Sequence, residues 1–151
     1  MGETQAGVDD MDFKFTVSGR ISKPVHEVFE AVADPKKLSG YFTTGGAKGR
    51  LETGATVTWD FHDFPGAFPV NVVEVVPDEK IVLTWGAAPE GDGSGNYDNT
   101  RTLVSITEQG WKQTETGLKS SYGNCEGWTG MLAAMKVYVE HGINLREGFY
   151  K

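Results

Sequence analysis

Asp60, His62 and Asp63 sit together in the run Trp-Asp-Phe-His-Asp-Phe, residues 59–64. In an extended segment Asp60 and His62 share a face, which can orient an imidazole for proton transfer or begin a metal site. The competing reading is a polar strand end near solvent, because no third ligand and no nucleophile stands at useful spacing. His26 lies in an early helical segment and His141 in the last turn of a late one, where a cation suits the helix dipole. Asp92, Ser94, Asn96, Asp98 and Thr100 alternate as a calcium loop would, but Tyr97 and Leu103 stand where that loop needs its glycine and its bidentate glutamate. Cys125 precedes the start expected for the last helix, where a thiolate can be stabilised, yet Glu126 beside it acts in the wrong direction. These residues yield no catalytic assignment, no metal and no cofactor.

The aromatic residues make a different set. Phe15, Tyr41, Phe42, Trp59, Trp85 and Trp128 come from separate elements and offer large flat faces with few polar anchors. Met131, Leu132 and Met135 follow Trp128 at helical spacing. Together they could line a ligand pocket or simply fill a core. Glu74 and Arg101 stand in otherwise apolar strand runs and are the candidates for polar contacts inside such a pocket; a salt-linked outer face is the alternative.

Composition narrows the partners. The chain has 151 residues, enough for one domain with a substantial core, and a formal net charge of -7. It lacks the basic stripe that nucleic-acid or anionic-membrane binding requires. One cysteine permits no internal disulfide, which fits a reducing cytoplasm. No apolar run approaches a membrane span. Residues 1–11 read as a flexible acidic tail, and 12–151 as a single domain.

The elements that must position the aromatic set follow from periodicity. Phe13, Phe15, Val17 and Ile21 alternate with polar residues, predicting a first strand. Val25, Val28, Phe29 and Val32 predict a short helix capped by Ser22 with Pro24 in its first turn, and Asp34-Pro35 predicts a second, shorter one. Six strand-like runs follow: 47–52, 55–61, 68–76, 81–86, 100–107 and 111–117. Residues 86–99 read as an exposed, glycine-rich excursion between two of them. A final helix is predicted over Gly127 to Gly142, with Lys136 and Glu140 facing away from its apolar stripe. The fold class is α+β: a curved antiparallel sheet of about seven strands closed by a long C-terminal helix, with a cavity between them.

Three segments carry a resemblance: Ile21 to Phe42, Val72 to Trp85, and Glu126 to Gly142 with Gly127-Trp128 opening the final helix. They resemble the helix-grip fold of the START and birch-pollen-allergen (SRPBCC) superfamily, and more narrowly the family of the activator of heat-shock protein 90 ATPase. The resemblance covers about Phe13 to Gly142 and implies an internal pocket, in a superfamily whose members bind lipids, hormones or polyketides and in part catalyse reactions. The strand before the last helix often brings a histidine in that superfamily; residues 114–121 contain none.

Three functions are open. The first is a pocket for a small apolar or aromatic ligand between helix and sheet. The second is a protein-interaction module related to chaperone ATPase activators, which predicts a filled core; a homodimer is a further option. The third is a hydrolase or cyclase using Asp60, His62 or Arg101, which requires those groups to converge on the cavity.

Overall fold

The computed structural model describes residues 13–85, 91–96 and 102–150. The N-terminal tail and Arg101 lie outside the described residues. Strand β1, Phe15–Ile21, alternates inward and outward as its sequence predicts. Helix α1, Val25–Ala33, follows; its N-cap is Pro24, without a side-chain cap, rather than Ser22. The Ser22 amide instead donates to Glu140 Oε2 at 2.7 Å. Asp34 caps α2, Pro35–Leu38, by accepting from the Lys36 amide, with Pro35 in the first turn.

The strands that follow are β2, Gly46–Lys48, β3, Thr56–Phe61, β4, Phe64–Val76, β5, Lys80–Thr84, β6, Gly91–Asn96, and β7, Thr102–Glu108. Their order is β1-β7-β6-β5-β4-β3-β2, and every neighbouring pair is antiparallel. The pairing is less continuous than the seven-stranded wall expected from the sequence. β1 and β7 pair along their length, β6 adds to β7 at five register positions, and β5-β4-β3-β2 form a second section. β6 bridges them and meets β5 at the single register pair Leu83↔Gly91.

Two expectations exchange places here. Part of the stretch read as an excursion forms β6, whereas residues 111–117, read as a strand, form none. The run 91–96, Gly-Asp-Gly-Ser-Gly-Asn, has little intrinsic strand preference, so it is held by its neighbours rather than by its own residues.

Helix α3, Glu115–His141, starts twelve residues before the expected Gly127. Thr114 caps it, its hydroxyl accepting from the Gly117 amide at 3.0 Å. A Cβ on Gly117 would stand 1.9 Å from the Lys112 carbonyl oxygen, so the chain passes too close there for any other residue. Gly142 ends the helix in the left-handed conformation at φ 71°. Thr114→Ala should cost about 1 kcal/mol, measurable by urea unfolding, because the first turn loses its side-chain acceptor.

α3 lies against β1 and α1 and closes the core. Lys136 and Glu140 do not simply face solvent. Lys136 Nζ donates to the Arg20 carbonyl at 3.0 Å and to Glu140 Oε2, so with the Ser22 contact the pair ties the helix end to β1.

Candidate functional site

Two adjoining hollows lie between α3 and the strands. The inner one, about 90 Å³, has walls from α1 (Val28, Phe29), β7 (Val104, Ile106) and α3 (Met131, Met135). The outer one, about 370 Å³, adds Phe61 and Phe68 of the β3–β4 hairpin, the α3 backbone at Gly123 and Gly127, and Arg146 and Tyr150 beyond the helix. Phe42, Trp59, Trp85 and Trp128 border both. Their rings touch: Phe42 and Trp128 centroids are 5.4 Å apart, Trp59 and Trp85 6.2 Å, and Trp85 and Trp128 5.8 Å. The inner hollow alone is smaller than the roughly 150 Å³ cavity that takes benzene, while the outer one falls in the usual size range of ligand pockets.

Of the residues singled out in the sequence, Phe42, Trp59, Trp85, Trp128, Met131 and Met135 come together around these hollows. Tyr41 is fully buried beside them: its hydroxyl donates to the Ala31 carbonyl at 2.9 Å and its ring packs on Tyr138. Leu132 is buried in the core but borders neither hollow. Phe15 lies elsewhere, stacked on Trp111 at 5.6 Å. Glu74 is exposed and paired with Lys80 at 2.8 Å, on the outer face of the sheet, because the register shift between Val72 and Glu74 breaks simple alternation.

The Asp60, His62 and Asp63 group does not converge. Phe61 pairs with Phe64, so His62 and Asp63 occupy the hairpin tip between β3 and β4. His62 is exposed and hydrogen-bonded to Thr44 Oγ1, whereas Asp63 points inward and is buried. Cys125 sits within α3 rather than before it, away from any helix N-terminus. His26 pairs with Asp78 at 2.9 Å at the surface, and Asp98 and Thr100 of the calcium-like run lie outside the described residues.

Two buried polar groups beside the hollows were missed. Glu108 ends β7 fully buried, and its carboxylate accepts from Trp128 Nε1 at 2.9 Å and from Asn124 Nδ2 at 3.1 and 3.2 Å. Burial raises its pKa, opposed in part by these hydrogen bonds. The signal was available: Glu108 shares the inward parity of Thr102, Val104 and Ile106, so an acid stands in a row of uncharged, inward-facing residues. The second group is Arg146. Its guanidinium donates to Asp63 Oδ1 at 3.0 Å, with the two side chains 8% and 0% exposed. It also lies 4.7 Å from the Phe61 ring centroid and 5.1 Å from that of Tyr150. No local pattern linked residue 146 to residue 63.

The fold is shared with solved proteins. The protein SSP2350 from Staphylococcus saprophyticus is 29% identical, with a TM-score of 0.77 over 88% of this chain and 96% of that one. DynU16, a protein in the dynemicin biosynthetic locus, is 24% identical with a TM-score of 0.71, over 87% of this chain and 49% of its own. The Aha1 dimer from Colwellia psychrerythraea has the same fold at 18% identity, with a TM-score of 0.71 over 85% of this chain and 97% of that one. No curated protein matches the chain. No helix among the described residues is long and apolar enough to cross a membrane. Residues 22–140 match the family model for Activator of Hsp90 ATPase homolog 1-like proteins, and the chain belongs to that family.

Proposed function

We propose that this chain binds a small apolar or aromatic molecule in the hollow between α3 and the strands. The observation that carries the reading is the pair of adjoining hollows bordered by the same four aromatic side chains, Phe42, Trp59, Trp85 and Trp128. A well-packed interior has few voids larger than a water molecule. Aromatic surface left unfilled at this scale is better suited to a guest than to stability. Met131 and Met135 add adaptable walls. The single cysteine suits a reducing, cytoplasmic setting.

Met135→Trp tests this directly. Met135 is fully buried and borders the inner hollow. A larger ring there should fill the space at a cost of about 1–3 kcal/mol, which most folded domains survive. In equilibrium dialysis with naphthalene, binding should fall at least roughly tenfold in Met135→Trp, with Met131→Trp as the second variant. Absence of naphthalene binding in the wild-type chain overturns the reading, and unchanged binding in both folded variants overturns the inner hollow's part in it.

A protein-interaction role is the second reading, favoured by the exposed Ile143, Leu145 and Phe149 after α3 and by the family's name. It stands behind the first because it predicts a filled core. A hydrolase or cyclase role through His62 is not favoured, since His62 is exposed and borders neither hollow.

A further inference from the structure

The outer pocket has a floor of bare backbone. Gly123 and Gly127, one turn apart on α3, border it, and a Cβ built on either would meet no atom within 4 Å. Two other glycines of this helix have a packing reason: a Cβ would meet the Lys112 carbonyl at Gly117 and the Tyr150 hydroxyl at Gly130. At 123 and 127 no neighbour demands glycine, although glycine weakens a helix interior relative to alanine. What the pair supplies is room. Trp59, Phe61, Phe68 and Trp85 supply the flat faces that share this pocket.

The same wall contains an unmet donor. Trp59 is 3% exposed, and its indole N–H is buried with no hydrogen-bond partner. Arg146 is 7% exposed, and its Nε is also unpartnered. A buried N–H without an acceptor is costly, and a guest oxygen would relieve it. The Trp59 N–H is sealed from water and its ring packs on Phe42, Phe68 and Trp85, so the ring must reorient as the guest enters to bring the N–H to such an oxygen. Charge on the guest would gain little: the Arg146 guanidinium is already matched by Asp63, and Glu126 stands exposed at the pocket's edge.

We propose that the outer pocket takes a flat, uncharged aromatic molecule that lies across the α3 backbone at Gly123 and Gly127 and offers an acceptor oxygen to the indole N–H of Trp59. This rests on the ligand-binding reading above and adds to it the shape and polarity of the guest.

Fluorene and 9-fluorenone are suitable probes, because they share a flat three-ring frame and differ by one carbonyl. In equilibrium dialysis the wild-type chain should hold fluorenone roughly fivefold more tightly than fluorene, the worth of one hydrogen bond. Trp59→Phe should erase that difference. Gly123→Leu and Gly127→Leu should each weaken both compounds at least roughly tenfold while leaving Tm unchanged or higher, since leucine is the better helix former. The carbonyl stretch of bound fluorenone should fall in wavenumber in the wild-type chain, a readout that needs no variant. Equal binding of the two compounds with an unshifted carbonyl overturns the acceptor assignment. Undiminished binding in the leucine variants overturns the glycine floor. Naphthalene bound and blocked by Met135→Trp, with no binding of either fluorene compound, sinks this inference but leaves the reading beneath it standing; absence of all three sinks both.

Discussion

Arg146→Met is expected to cost about 3–5 kcal/mol, because it strips the partner from a carboxylate that has no route to water. Asp63 has a fully buried side chain, and its Oδ1 accepts from the Arg146 guanidinium at 3.0 Å. That loss is a large fraction of a typical domain's total stability. The pair is also imperfect, since Asp63 Oδ2 and Arg146 Nε have no hydrogen-bond partner. Removing both charges should therefore be far milder than removing one. The double variant Asp63→Asn, Arg146→Met is expected to recover more than half of the loss. Urea unfolding of the two variants checks this; a single-variant loss below about 1 kcal/mol would mean that the segment lifts away and the carboxylate is hydrated, as at a surface pair.

The second large effect belongs to Glu108. Glu108→Ala leaves the buried Trp128 indole without an acceptor and takes one from the part-buried Asn124 amide, at a cost of about 2–3 kcal/mol near neutral pH. Glu108→Gln keeps an acceptor oxygen and should be within about 1 kcal/mol of wild type. The two also differ from wild type in pH dependence. Burial raises the Glu108 pKa, so between the ordinary carboxylate value and the raised one the folded chain holds a proton that the unfolded chain has released. Stability must then fall as pH rises through that window. Glu30 and Glu140 act in the opposite sense: hydrogen bonds from Arg50 and from Lys136 hold their pKa values low, so their contribution disappears as pH drops below the ordinary carboxylate range. The wild-type profile should peak near that range, and Glu108→Gln should flatten its alkaline side. A thermal-unfolding series across pH that shows the same slope in both chains would remove Glu108 as its source.

The parts of the fold written in local periodicity were legible. β1 alternates, Asp34-Pro35 opens α2 and Gly142 ends α3, each through interactions within a few residues. β6 was not legible, because three glycines and three polar residues carry no strand signal and only β7 and β5 hold them extended. The early turns of α3 were hidden by Gly117 and Gly123, which lower helix propensity where the tertiary structure needs a close approach at the one and leaves space at the other. The aromatic members of the pocket could be named because large rings in separate elements tend to meet in one interior. Their polar neighbours could not. Glu108 joins Trp128 across 20 residues and Asp63 joins Arg146 across 83, and pairings at that distance leave no trace in spacing. Glu74 misled for the complementary reason: its apolar neighbours suggested an inward face, and an irregularity in β4 places it outside.

Trp59, Trp85 and Trp128 all border the hollows, with Trp85 in ring contact with each of the other two, whereas Trp111, the remaining one of four, stacks on Phe15 away from them. The chain thus carries its own optical gauge. Excitation absorbed by any of the three indoles can migrate among them, so a guest that quenches one dims the cluster while Trp111 keeps emitting as an internal reference. Occupancy could be followed in ultraviolet emission without attaching a dye, and the residual signal at saturation would report the single indole outside the cluster.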